Sequence, residues 1–209
     1  MLPPLIPLFP LPSVVLFPNV LLPLHIFEPR YQQMLADALA GDRVIGMALL
    51  QAGWEDSDDG RPGVFPIGCA GVITHVEALP DGRSNIVLRG LTKFRIQSED
   101  GSKPYRVAQV EPIVEGVSRG DRERLFAIRN RLEEVVLAAA LKGRRERQFP
   151  PDIPDEDLVN ALSQYLELEP LERQALLESE GVVSRAKRLL ELLEMKVIAY
   201  RAPGDDRVH

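Results

Sequence analysis

VVLFPNVLLPLHIFEPRYQQMLADALAG, from Val14 to Gly41, is the stretch of sequence that decides the fold. It opens with apolar strand-forming residues that Pro18 and Pro23 divide into short pieces, because proline cannot donate a hydrogen bond to a strand ladder. A helix follows, since Pro29 suits the first helical turn, where its missing N–H is not needed. Gly41 is typical of the position just after a helix end. The stretch therefore predicts a junction between a sheet and a helix, without residues typical of bond-making chemistry.

The predicted helix has one apolar face. Tyr31, Met34, Leu35 and Ala38 recur at helical spacing, which predicts a buried stripe. Glu28 precedes the helix, where the positive end of the helix dipole stabilises a carboxylate. We therefore expect this helix to be inserted among the strands of a strand-rich region.

The composition is typical of a soluble protein. The chain has 209 residues, of which 45% are hydrophobic and 27% charged, enough to bury a core as one domain or one and a half. The formal net charge of -6 disfavours non-specific nucleic-acid binding, which draws on Lys and Arg. The single cysteine excludes an intramolecular disulfide and fits a reducing cytoplasm. Prolines interrupt the apolar N-terminus, so it predicts neither a signal peptide nor a membrane helix, and we expect a cytoplasmic protein that does not bind membranes.

Short strands dominate the chain as far as Gly116. Apolar and β-branched runs alternate with turn signals such as LPDGR, in which proline presets φ and glycine supplies a positive φ. Gly90 predicts a bulge or kink between two strands. The predicted strands are Leu5–Phe9, Val14–Phe17, Leu21–Phe27, Arg43–Leu50, Val64–Leu79, Asn85–Leu88, Leu91–Gln97 and Tyr105–Val114. About seven or eight short strands at this spacing are typical of a small barrel or closed sheet.

Helix-forming residues dominate after Gly116. Amphipathic helices are predicted over Asp121–Lys142, Asp155–Leu166, a short segment from Pro170, and Ser184–Tyr200. We therefore predict an α+β protein, with a β domain over residues 1–117, a C-terminal α-helical bundle over residues 118–203 and a disordered tail over residues 204–209.

No set of residues favours catalysis or a bound cofactor. Neither of the phosphate-binding patterns GxxxxGK[ST] and GxGxxG occurs. A hydrolase or metal site would have to be built from Cys69, His25 and His75. These residues are far apart in the sequence, and Cys69 stands among small residues typical of a close-packed strand. A structural interpretation is favoured for all three, so we predict no catalytic residue, no metal ligand and no cofactor.

Basic residues are frequent in the predicted sheet. Strand alternation places Lys93 and Arg95 on one face, which keeps an RNA-binding surface as an alternative. Phe94 points to the opposite face, so a solvated sheet face is favoured over a stacking surface. A second basic cluster, Lys142 to Arg147, follows a predicted helix end, where the negative end of the dipole accounts for it.

Four residues are candidates for a binding surface: Phe27, Arg30, Tyr31 and Trp54. Phe27 and Tyr31 flank the strand-to-helix junction and could line a groove, although aromatic residues at this spacing are more often buried. Glu28 and Arg30 could offer hydrogen bonds to a polypeptide lying along the sheet edge. In the structural alternative, Glu28 caps the helix and Arg30 binds a neighbouring carbonyl. Trp54 is the one large residue in a hydrophilic, glycine-rich loop.

Several segments of the chain form a recognisable combination. In the first half these segments are Pro4–Leu11, Val15–Pro18, Leu22–Tyr31, Leu79–Arg83, Gly90 and Phe94–Ile96. In the second half they are LEPLERQALLE and RAKRLLELLE. The first set resembles the N-terminal domain of the Lon protease family, and the second resembles the helices that follow the sheet domain of that family. The resemblance spans nearly the whole chain, and the form HIFEPRY matches the free-standing branch of the family.

The resemblance implies a PUA-like barrel with an inserted helix, and a non-catalytic module that recognises protein substrates. Family proteases add an ATPase module and a Ser–Lys catalytic dyad downstream, and we expect this chain to be a stand-alone form without either. The implied partner is unfolded or extended polypeptide, in protein quality control, with a protease or chaperone as a further partner. PUA-like folds also bind RNA, which is the alternative function, and the acidic net charge disfavours it.

Overall fold

The computed structural model describes residues 2–53, 55, 62–140 and 152–201, with the backbone alone at 138–140 and 199–201. Within these residues the strands are β1 (Leu5–Leu11), β2 (Leu21–Ile26), β3 (Val44–Leu49), β4 (Ile67–Ala78), β5 (Ser84–Asp100) and β6 (Arg106–Ile113). The helices are α1 (Pro29–Ala40), α2 (Arg119–Ala140), α3 (Asp155–Tyr165), α4 (Pro170–Leu177) and α5 (Gly181–Arg201). The predicted α+β class is confirmed, with one helix inserted among the strands and four after them.

The strands form one mixed sheet. Their order is β2-β5-β4-β3-β1-β6, and β6 also pairs with β5, so that β5, β4, β3, β1 and β6 form a ring with β2 outside it. β1 and β3 are parallel, with Leu8 opposite Gly46, whereas the other pairs are antiparallel. One buried cluster joins side chains of five strands: Ile6, Leu8, Val44, Ala70, Phe94, Ala108 and Val110.

A single long strand replaces two predicted ones. β5 runs for 17 residues through Gly90, and a register shift in its pairing with β4 places a bulge beside this glycine. A Cβ at Gly90 would lie 2.0 Å from the Phe17 carbonyl oxygen. The backbone of Gly90 donates to the Val20 carbonyl (2.9 Å) and accepts from the Asn19 N–H (3.0 Å). The predicted bulge is confirmed, but the predicted break is wrong, because the absent side chain serves a close backbone approach.

The predicted strand Val14–Phe17 is also wrong. These residues have no strand partner among the described residues, yet Leu16 and Phe17 are fully buried. The Phe17 N–H donates to Gln164 Oε1 at 3.0 Å. Asn19 then has a φ of 61°, which turns the chain toward β2. The apolar residues of this segment are therefore buried without pairing in a sheet, because the Gln164 side chain satisfies the backbone N–H of Phe17.

α1 begins and ends where its sequence predicts. Pro29 occupies the first turn, and the buried side chains are the predicted stripe of Tyr31, Met34, Leu35 and Ala38. The helix ends before Gly41, whose φ of -113° is not left-handed. Arg43 has the left-handed φ instead, at 59°. The end of the helix is thus set by the turn through Arg43 into β3.

The described chain divides into two compact units. Residues 2–115 and 160–178 form unit 1, and residues 116–159 and 179–201 form unit 2. Unit 1 holds the sheet, α1 and α4, and the division falls within α3. The sequence-based boundary at residue 117 stays a prediction. Trp54, the basic cluster Lys142–Arg147 and the tail 204–209 lie outside the described residues.

Unit 2 consists mainly of α2 and α5. Leu125, Leu132 and Leu189 are buried, as the apolar faces of these helices predict. Arg131 of α2 forms an ion pair with Glu194 of α5 at 3.1 Å. No described helix combines the length and apolar character needed to cross a bilayer.

Candidate functional site

β2 offers the free edge of the sheet in unit 1. Within the described residues it pairs with β5 alone, whereas every other strand has at least two neighbours. The Val20 carbonyl, just before β2, accepts from Gly90 of β5. Since backbone groups alternate in direction along a strand, those of Leu21, Pro23 and His25 face away from β5. Pro23 has no N–H to leave unpaired there, which is the position that an edge strand allows for proline.

The beginning of this edge is covered by α3. Gln164 Nε2 donates to the Leu21 carbonyl at 2.9 Å, and the Tyr165 hydroxyl donates to the same oxygen at 2.7 Å. Further along, Gln32 Nε2 donates to the Phe27 carbonyl at 3.1 Å. Beyond Leu21, the groups of this edge that have no partner among the described residues are the Pro23 carbonyl and the N–H and carbonyl of His25.

Phe27 follows this free segment directly, and its aromatic side chain is exposed. Its exposed fraction is 59%, and its ring stacks on the imidazole of His25, with centroids 6.1 Å apart and planes 25° apart. Leu21, at the other end of the strand, is 48% exposed. We define the β2 edge as residues 21–27. It presents apolar side chains on both sides of unpaired backbone groups.

A row of polar side chains orients His25. Its Nδ1 lies 2.8 Å from Asn85 Oδ1 on β5, and Asn85 Nδ2 donates to Glu77 Oε2 on β4 at 2.9 Å. The amide nitrogen of Asn85 is thereby used by Glu77, so the Asn85 oxygen accepts a hydrogen bond from His25 Nδ1–H. The predicted structural role of His25 has a physical basis in this row, although the imidazole remains exposed.

Arg30 lies on the surface at the start of α1. Its guanidinium forms an ion pair with Glu28 at 2.8 Å and lies over the ring of Tyr31, 4.6 Å from the centroid. The predicted contact of Arg30 with a neighbouring carbonyl is replaced by this carboxylate. Glu28 makes no side-chain cap, and its backbone carbonyl accepts from the N–H groups of Tyr31 and Gln32, both at 2.9 Å. Arg30 and Glu28 together form a polar border beside Phe27.

Tyr31 differs from the other candidates because it is buried. Its ring packs against Phe9 of β1, with centroids 4.4 Å apart, and burial raises the pKa of its phenol above the ordinary value. Tyr31 therefore holds α1 on the sheet and supports the border residues from below. The positions of Phe27 and Tyr31 in the sequence do not show which of the two rings is exposed and which is buried.

The residues of the alternative functions are placed apart. Lys93 is buried and forms an ion pair with Glu115 at 2.8 Å, so it cannot contact a phosphate, whereas Arg95 is exposed. Cys69 is buried near the start of β4, and His75 is exposed six residues later on the same strand, about 20 Å away at strand spacing. No three Cys, His, Asp or Glu side chains of the described residues are gathered as a metal site.

Comparisons with known proteins identify relatives along nearly the whole chain. A family model described as the ATP-dependent protease La (LON) substrate-binding domain matches residues 5–195. The Lon protease of Flavobacterium johnsoniae is 26% identical over 98% of this chain, and that of Trichlorobacter lovleyi is 30% identical over 92%. This chain covers 26% and 24% of those proteins, about a quarter of their length.

Two solved structures share the fold. A Lon N-terminal domain protein from Xanthomonas campestris aligns with a TM-score of 0.61 and 24% identity, covering 90% of this chain and 97% of that chain. The N-terminal domain of a Mycobacterium avium complex Lon protease aligns with a TM-score of 0.65 and 16% identity, covering 91% and 98%. At these identities the likeness concerns the fold.

Proposed function

The chain belongs to the ATP-dependent protease La (LON) substrate-binding domain family, and on this premise we propose that it is a non-catalytic module that binds unfolded or extended polypeptide. The observation that carries this proposal is the β2 edge, where unpaired backbone groups of Pro23 and His25 lie beside the exposed ring of Phe27. An extended segment would add to the sheet there as a further strand.

Main-chain pairing gives such a site little sequence preference. Every residue except proline offers both a backbone N–H and a carbonyl that can form hydrogen bonds with the edge. The free part is short, so these bonds alone give modest affinity, and the apolar surfaces of Leu21 and Phe27 supply the rest. Arg30 and Glu28 form the polar border, and Tyr31 acts as a positioning residue. Unfolded proteins, which expose both backbone and apolar side chains, are the ligands that match this combination.

A titration tests the proposal directly. The ligand is a reduced, carboxymethylated protein that stays unfolded, labelled for fluorescence anisotropy. We expect binding at tens of micromolar as an order of magnitude, and about a tenfold loss in the variant Phe27→Ser. Phe126→Ser is the matched control, since Phe126 on α2 is 60% exposed, against 59% for Phe27. Absence of binding, or an equal loss in both variants, contradicts the proposal.

Amide hydrogen exchange tests the mode of binding. Strand addition at β2 would protect the His25 N–H, which faces the free edge, while the N–H of Leu24, which faces β5, would change little. If the ligand protects other amides from exchange but leaves the His25 N–H unprotected, the ligand binds to another surface.

We place this binding activity in cytoplasmic protein quality control, with a protease or chaperone as the protein that receives the ligand. Relatives named Lon protease support the association, and they are about four times as long as this chain. Affinity purification from the native cell, with Phe27→Ser as the matched bait, would identify the receiving protein. Recovery of only ribosomal or other RNA-bound proteins with both baits would argue for the RNA alternative instead.

A further inference from the structure

A second depression in unit 1 shares no residue with the β2 edge. This cleft of about 400 Å³ lies between the C-terminal half of α1, the first residues of β1 and the segment that leads into β6. Its apolar lining includes Leu5, Ile6, Val44 and Val107. Leu5 is 56% exposed although it lies in a strand with two neighbours. The floor of the cleft thus offers water-exposed apolar surface.

The rim of the cleft is negative. α1 ends there with no basic residue in its last turn, so the negative end of its dipole is not offset from within the helix. Asp42 follows, exposed, and no ion pair to it occurs among the described residues. Lys103 also lines the cleft, but its ammonium is bound to Asp37 at 2.9 Å. Two carboxylates and one ammonium leave a formal charge of -1 on the rim, beside the helix end.

Backbone carbonyls at the end of α1 add to the negative character of the rim. In a regular helix the N–H groups of Gly41 and Arg43 would bond the carbonyls of Asp37 and Leu39. Here both donate to the Ala38 carbonyl, at 3.2 and 2.9 Å. The carbonyls of Asp37 and Leu39 therefore lack these donors. Asp37 lines the cleft, and the terminal carbonyls of a helix are groups that cationic side chains bind.

We propose that this cleft binds a polypeptide segment in which lysine or arginine alternates with apolar side chains. The apolar side chain lies on Leu5 and Val107, and the cation faces Asp42 and the carbonyls at the end of α1. Charge complementarity selects this occupant over neutral or acidic apolar peptides. The cleft is a second polypeptide contact, and it does not depend on the β2 edge.

Peptide titrations against the full chain test this assignment. The probes are two capped, fluorescent octapeptides with glycine and serine ends, in which leucine alternates with arginine in one and with glutamate in the other. We expect the arginine peptide to bind about tenfold more tightly in low salt, and this preference to fall on raising the salt. Asp42→Asn should weaken it about threefold, and Leu5→Ser about tenfold. The thermal unfolding midpoint of each variant verifies that the fold is kept.

Matched controls separate the cleft from other surfaces. Glu123→Gln removes an exposed carboxylate of α2, and Leu171→Ser removes a leucine of α4 that is 59% exposed; neither should affect binding. Phe27→Ser should weaken the binding of either peptide at the β2 edge but should keep the preference for the arginine peptide, which the cleft provides. Equal binding of the two peptides, or no binding, overturns the proposal, as does a dimer that Leu5→Ser dissociates, because a second copy would then occupy the cleft. If Phe27→Ser alone abolishes binding, the peptide lies at the β2 edge, and the cleft proposal fails while the proposed function stands.

Discussion

The Tyr105 hydroxyl donates a hydrogen bond to Asp37 Oδ2 across 2.6 Å, between residues 68 apart in the sequence. Tyr105 directly precedes β6, and Asp37 lies in α1. The bond therefore fastens the inserted helix to the ring of strands. Lys103 Nζ donates to the same oxygen at 2.9 Å, and Gln33 Nε2 donates to Oδ1 at 2.7 Å.

These donors make the stability of the fold depend on pH through Asp37. The hydrogen bonds from Tyr105, Lys103 and Gln33, in that order of size, lower the pKa of Asp37 to about 2 from an ordinary 3.8. A carboxyl group whose pKa is lower in the folded state stabilises that state above the unfolded pKa, and the contribution is lost as the pH falls through the folded pKa. We predict that Asp37→Asn lowers the urea midpoint at pH 7 and that the gap from wild type closes between about pH 4 and pH 2.

Equilibrium unfolding followed by circular dichroism at pH 7, 4 and 2.5 measures this gap. Tyr105→Phe removes the largest of the three effects and keeps the ring, so it should show a smaller gap with the same pH dependence. Glu123→Gln, at an exposed site of α2, is the charge control. A gap that is constant over this range would show that the loss comes from packing and not from ionised Asp37.

The close surroundings of Gly90 predict that adding a single methyl group there strongly destabilises the fold. Its Cβ would lie 2.0 Å from the Phe17 carbonyl oxygen and 3.1 Å from Pro18 Cα, and both neighbours are backbone atoms that cannot rotate away. We predict that Gly90→Ala lowers the free energy of unfolding by about 3 kcal/mol, as measured by urea unfolding. Gly116→Ala is the control, because nothing lies within 4 Å of its Cβ position. Similar losses in both variants would mean that a general effect of replacing glycine by alanine, and not the close approach, sets the cost.

The sequence predicts those elements whose signals are local. Pro29, the buried stripe and Gly41 lie within one helical segment, and α1 has the predicted bounds. Proline in a strand is a weaker signal, since Pro23 marks the edge strand β2, whereas Pro7 lies in β1, a strand that pairs with both β6 and β3. Long-range partners decide that difference. The free edge of β2 follows from the order of the strands in the sheet, which periodicity does not encode.

The burial of Lys93 is not predicted by the alternation of residues along the strand. Alternation places Lys93 on a solvated face with Arg95, but it is only 2% exposed. Its ammonium forms an ion pair with Glu115, 2.8 Å away and just after the end of β6. A buried cation is tolerated when an anion and hydrogen bonds compensate for its lost hydration. That compensation comes from a residue 22 positions later in the chain, which no local window contains.

Because Lys93 and Glu115 form a buried ion pair, we predict that the effects of substituting them on the free energy of unfolding are strongly coupled. Removing one partner leaves the other charge buried and uncompensated, which costs about 3 kcal/mol or more. We predict such a loss for Glu115→Gln, which leaves the Lys93 side chain charged and only 3% exposed, and a smaller one for Lys93→Met, which leaves Glu115 12% exposed. The double variant should lose less than the sum of both, with a coupling of about 1 to 3 kcal/mol. A double-mutant cycle by urea unfolding measures it, and strict additivity would contradict a direct interaction.

The orientation of His25 at the β2 edge can be tested without any ligand. Asn85 uses its amide nitrogen for Glu77 Oε2, so only its oxygen faces His25, at 2.8 Å from Nδ1. The hydrogen bond at one ring nitrogen fixes the tautomer, and we predict that neutral His25 carries its proton on Nδ1. The nitrogen chemical shifts of the ring in long-range ¹H–¹⁵N spectra distinguish the two tautomers. Asn85→Leu removes the acceptor and should shift His25 toward the Nε2–H form, whereas His75, which makes no such bond among the described residues, should keep its shifts. An Nε2–H form in the wild type would mean that the Asn85 amide is turned around, and the row from Glu77 to His25 would then not orient the imidazole beside Phe27.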